Sequence, residues 1–124
     1  MKNYAVALFF LGSMFFIFSC QKSNSAYTGK VSCNESDDTL NTYGLKIASI
    51  INTNCATIGC HDATSKKDGV DLSTYVSSKN AFENKNVLCS IYAGDACKVM
   101  PVGGIMSEDK LHDITCWVKN GYPQ

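Results

Sequence analysis

Cys55-Ala-Thr-Ile-Gly-Cys60-His61 places two thiols on one short stretch, with an imidazole directly after the second. Thiols of this kind add across the two vinyl groups of a haem as thioethers, and the adjacent imidazole then lies under the iron as a proximal ligand. The common form of this arrangement has two residues between the cysteines. Here there are four, and the extra residues are expected to bulge out of the loop while both sulfurs still reach the porphyrin. Met100-Pro101 follows 39 positions after His61. A thioether on the far side of the haem would complete six-coordinate iron and favour the reduced state.

Two amphipathic helices are expected to position these groups. The first is read over 38–54, where Leu40, Tyr43, Ile47, Ile50 and Ile51 form one apolar stripe at helical spacing. Ser36 or Asp38 is expected to cap it. Gly44 falls on the same stripe, where it costs about 1 kcal/mol relative to alanine, and this predicts a large group packed against the bare backbone. The second helix starts after Ser107 with Glu108 and Asp109 at the positive end of its dipole, and Gly121 and Pro123 stop it. Leu111, Ile114, Trp117 and Val118 form its buried stripe, and Trp117 is the natural partner for Gly44. Between them, Gly69–Tyr75 reads as a turn entering a short helix from Ser73, and Asn86–Gly94 as another short helix. No alternating strand pattern of five or more residues occurs. The chain is expected to be all-α.

The order of features is an amphipathic helix with an internal glycine, Cys55, Cys60 and His61, short irregular helices, Met100-Pro101, and a terminal helix bearing Trp117. Over roughly 38–122 this resembles the class I c-type cytochrome fold, a small all-α fold with crossing N- and C-terminal helices and irregular haem-enclosing loops. The resemblance implies one covalent haem c, held by Cys55 and Cys60, with His61 as proximal and Met100 as distal iron ligand. It also implies a glycine–aromatic helix crossing, matched by Gly44 and Trp117. Met106 competes with Met100 as distal ligand, and His112, next to Leu111, is read as a solvated side chain off the buried stripe. Lys66 and Lys67 are read as solvated surface cations, with a redox docking role near the haem edge as the alternative. Cys33, Cys89, Cys97 and Cys116 allow three pairings. Cys89–Cys97 would close a short loop just before Met100, leaving Cys33–Cys116 to pin the preceding segment to the terminal helix.

Met1–Ser19 carries Lys2 and an apolar run from Tyr4 to Phe18, 15 residues, short of the roughly 20 needed to span a bilayer. It ends at Ile17-Phe18-Ser19-Cys20, which resembles a bacterial lipobox. Residues 1–19 are therefore expected to be a signal peptide, with Cys20 lipidated, 20–37 a polar tether and 38–124 the haem domain. This places the protein in the cell envelope, lipid-anchored on a periplasmic or extracellular face. Seven cysteines in 124 residues agree with an oxidising compartment. The chain has no arginine, and beyond residue 19 its ten lysines and eleven acids leave a charge near −1. That balance argues against nucleic acid as partner and against most nucleotide-handling enzymes.

With both axial positions filled, the expected function is single-electron transfer with redox partner proteins rather than enzymatic turnover. A cofactor-free lipoprotein stapled by three disulfides, Cys55–Cys60 among them, is the alternative. A zinc site built from Cys55, Cys60, His61 and one further cysteine is a third reading, disfavoured because adjacent residues rarely share a tetrahedral ion.

Overall fold

Helix-forming patterns at the two ends of the chain do meet in space. A computed structural model describes residues 24–34 and 39–124. A single turn α1, Ser25–Thr28, leads in. A π-turn over Tyr43–Ile47 runs directly into α2, Ala48–Asn54. A 3₁₀ turn at Lys67–Gly69 precedes α3, Tyr75–Asn84, followed by α4, Val87–Ile91, and α5, Glu108–Lys119. Among the described residues there is no strand. The fold is all-α.

Trp117, fully buried on α5, is the centre of the core. Phe82 of α3 and Tyr122 meet it edge-on at 5.5 and 5.0 Å between centroids, and Tyr43 lies tilted at 5.9 Å. Its indole N–H donates to the Pro123 carbonyl at 2.9 Å, so the large apolar ring is buried without an orphaned donor. Ile47 and Ile51 of the first segment, Leu111 and Ile114 of α5, and Leu88 and Ile91 of α4 close around it. Each such side chain, fully removed from water, contributes roughly 1.5–3 kcal/mol.

The first helix starts later than the stripe implied. Asn41 and Thr42 are non-helical, and the Thr42 hydroxyl caps the π-turn by accepting from the Leu45 N–H at 3.3 Å. Ser36 and Asp38 lie outside the described residues. The wider π-turn rotates the side chains from the register of a 3.6-residue helix. Leu40 and Leu45 are left exposed, Gly44 has no atom within 4 Å of where a Cβ would stand, and the aromatic contact to Trp117 comes from Tyr43 instead. The expected Gly44–Trp117 crossing is thereby corrected to a Tyr43–Trp117 contact.

The middle helices have local causes. At α3, Thr74 and Ser77 form a reciprocal capping box. Asp71 accepts from both the N–H and the hydroxyl of Ser73 and pairs with Lys66 at 3.2 Å, which holds its carboxyl down at about 2. At the far end of α5, Gly121 takes a left-handed φ of +79° as the chain leaves the helix.

Part of the expected tether, residues 24–34, is packed onto the domain. Asn24 donates to the Phe82 carbonyl at 2.9 Å, and Tyr27 stacks on Tyr92 at 5.2 Å. Lys119 donates to the Val31 carbonyl, while a ring nitrogen of His112 lies 3.1 Å from the Ser32 carbonyl. His112 is thus engaged with this segment and half-buried, not simply solvated. Cys33 is bonded to Cys116 and Cys89 to Cys97, the partners of the expected pairing. Cys20 and the apolar run before it lie outside the described residues.

Candidate functional site: a cavity joining Cys55, Cys60, His61 and Met100

α2 delivers Cys55 at its C-terminal end, where the Cys55 N–H donates to the Ile51 carbonyl at 2.8 Å. The chain then folds back in one tight loop: Cys60 N–H donates to Thr57 and His61 N–H to the carbonyl of Cys55. Gly59 supplies the left-handed turn at φ +82°. Ile58, 97 % exposed, stands at the outside of this loop. Ile58 and Gly59 form the exposed tip of the loop, Ala56 packs against the core, and Thr57 lines the same cavity as Cys55, Cys60 and His61.

Asp62 locks the loop from below. Its carboxylate accepts from the backbone N–H groups of Thr64, Ser65 and Gly59 at 2.9, 3.0 and 3.1 Å. These bonds, with that of the Ser65 hydroxyl largest among them, hold its pKa well below the usual carboxylate range. A carboxyl whose folded pKa is depressed stabilises the fold above its unfolded pKa of about 3.9, and that contribution is lost as pH falls from there toward the lower folded value. Asp62→Asn should therefore flatten the acid limb of the unfolding-temperature profile from about pH 5 down to about pH 2. An unchanged limb would mean that this carboxylate is not what acid attacks.

His61 is held at both ends. Leu72 N–H donates to its carbonyl at 2.8 Å, and its Nδ1 lies 3.2 Å from the Val70 carbonyl. A carbonyl only accepts, so in the neutral ring Nδ1 carries the proton and Nε2 is the nitrogen with the lone pair that could bind a metal. Cys55 and Cys60 are both free thiols, partly buried. Burial, and secondarily the neighbouring Cys60, pushes the Cys55 pKa up to about 11, so this thiol stays protonated at neutral pH.

Met100 lines the same cavity. Its N–H donates to the Ser90 carbonyl at 3.0 Å, and the Cys89–Cys97 bridge closes the turn immediately before it. Cys55, Cys60, His61 and Met100 all line one cavity of about 390 Å³, with apolar walls from Val70, Leu72, Val87, Ile91, Pro101 and Val102. That volume is in the range of small-molecule and cofactor sites. Met106, the competing distal ligand, is buried in the core and does not line this space. His112 lies by the Cys33–Cys116 bridge, its ring nitrogens 3.8 and 3.9 Å from the Cys116 sulfur.

The cavity also has polar lining residues: Lys67, Asp68, Lys85, Asn86 and Lys98. Lys98 pairs with Asp68 at 3.5 Å. Lys66 is turned to Asp71 and is not among the lining residues, whereas Lys67 is. Lys66 and Asp68 both adopt left-handed backbone, φ +39° and +56°, a conformation uncommon outside glycine. The sequence reading missed Lys85, Lys98 and the Val70 carbonyl, because residues so distant along the chain meet only through tertiary packing.

Two thiols, an imidazole with one nitrogen committed and the other available, a thioether, and an apolar enclosure form a donor set that fits a covalently held haem. Among the described residues, no group of three or more His, Cys, Asp or Glu is assembled to hold a metal ion by itself, and no helix is long and apolar enough to cross a membrane. Compared with family models, with curated proteins and with solved structures, the chain matches none of them.

Proposed function

We propose that the protein is a monohaem c-type cytochrome of the cytochrome c-like fold, lipid-anchored in the cell envelope and transferring single electrons without enzymatic turnover. The observation that carries this reading is the convergence of Cys55, Cys60, His61 and Met100, contributed by separate parts of the chain, on one mostly apolar cavity. When bound there, a haem supplies an iron that cycles between the ferric and ferrous states.

The chain's own residues have separable tasks. Cys55 and Cys60 provide the sulfurs for thioether attachment. The Val70 carbonyl orients the His61 ring and raises the basicity of Nε2 as a ligand. Met100 supplies a soft thioether, which favours the reduced state. The apolar walls give the site a mostly non-polar lining. The two disulfides suit equally the alternative of a cofactor-free interaction module, but that reading leaves no task for the Val70-oriented His61 or for a methionine facing the same space.

Protein expressed with cytochrome maturation machinery should be red and retain haem on a denaturing gel. A colourless product with the mass of a third disulfide, Cys55–Cys60, would move the assignment to the interaction module.

A further inference from the structure

The distance between the lipid and the folded body is short, and its landing point is defined. Four residue steps separate Cys20 from Asn24, and an extended chain covers at most about 3.6 Å per residue, roughly 14 Å in all. The headgroup layer alone occupies roughly 5–7 Å of that reach. Asn24 is bound to the Phe82 carbonyl near the C-terminal end of α3, and Tyr27 stacks on Tyr92 just beyond α4. If these contacts let go, the Cys33–Cys116 bridge still ties the segment to α5.

The same corner of the fold forms part of the cavity. α3 ends at Asn84, and the next three residues, Lys85, Asn86 and Val87, line the space shared with His61 and Met100. Glu83, Asn84, Lys85 and Asn86 are exposed, with one acid and one base among them. A polar, charge-balanced surface suits contact with lipid headgroups rather than insertion among acyl chains.

We propose that the short lipid leash holds the α3–α4 corner against the bilayer surface, with the Lys85–Asn86 wall of the cavity toward the membrane. This rests on the lipid anchor at Cys20 and on the haem reading above.

The test uses the mature haem-loaded protein, reduced, on phosphatidylcholine nanodiscs carrying a small fraction of gadolinium-chelating headgroups. Haem is checked beforehand by absorbance and lipid by intact mass. α3 has 10 residues, about 15 Å at 1.5 Å per residue, and serves as a ruler. Amide signals of Glu83–Asn86 should broaden several-fold more than those of Tyr75 and Val76 at its other end. Inserting twenty Gly and Ser residues between Ser23 and Asn24 should abolish the difference. Equal broadening at both ends, in protein of verified lipid and haem content, overturns the orientation and leaves the electron-carrier reading intact. Persistence of the difference with the long spacer overturns the leash as its cause, and the same amides shifting with protein concentration without discs assigns the face to a second copy. Lipid absent from the mass removes the proposal with its anchor.

Discussion

Met100→Ala should abolish the weak sulfur-to-iron charge-transfer band of the ferric protein. It should also lower the reduction potential by a sizeable part of the roughly 0.8 V range that axial ligands span. Met106→Ala should do neither. Met106 belongs to the same buried core cluster as Leu111 and Trp117, outside the cavity. Its truncation is expected to cost about 2–5 kcal/mol of stability, read as a lower unfolding temperature with the band intact. Persistence of the band in Met100→Ala and its loss in Met106→Ala would reverse the assignment. The contrast is sharp because the two methionines lie six positions apart with opposite surroundings: one faces a space large enough for a cofactor, the other is enclosed by side chains.

The second large effect belongs to the disulfides, whose loops differ greatly in length. Cys33–Cys116 spans 83 residues and Cys89–Cys97 spans 8. Restricting the unfolded chain over these lengths stabilises the fold by about 4.5 and about 2.5 kcal/mol in the chain-entropy treatment. Cys33→Ser with Cys116→Ala should therefore shift the denaturant midpoint clearly further than Cys89→Ala with Cys97→Ala. Alanine is chosen at 116 because that sulfur is fully buried, and a serine there would add an unpaired hydroxyl. The reverse order would mean that native contacts of the short loop, not loop length, set the balance.

The C-terminal helix was legible in the sequence from Ser107 onward, although the Ser107 side chain makes no capping hydrogen bond. Leu111, Ile114, Trp117 and Val118 recur at helical spacing, acids open the helix and Gly121 ends it, and every one of those four side chains is buried. At the other end the same reasoning misplaced Leu40 and Gly44, since a stripe counted at 3.6 residues per turn cannot register a π-turn beginning at Tyr43. Residues 24–34 looked like a free tether because they are polar. Much of their attachment runs through the carbonyls of Val31 and Ser32, and a backbone acceptor has no letter of its own in a sequence.

For the candidate site, adjacency in sequence made Cys55, Cys60 and His61 readable as a unit. Met100 was preferred to Met106 from the sequence by its Met-Pro place in the order of features, and the cavity adds that Met100 lines it while Met106 does not. Lys85 and Lys98 carried no signal, since each is an ordinary surface cation until α4 and the segment before Met100 fold over the thiols.

The burial of Cys55 bears on which sulfurs of the folded chain can take part in disulfide exchange. Only a thiolate attacks a disulfide or mixed disulfide. With its pKa raised to about 11, Cys55 in the folded chain is ionised in roughly one molecule in a thousand at pH 8. The fold thus treats its sulfurs differently: four are joined as crosslinks, while the buried Cys55 thiol is slowed as an attacking partner in disulfide exchange.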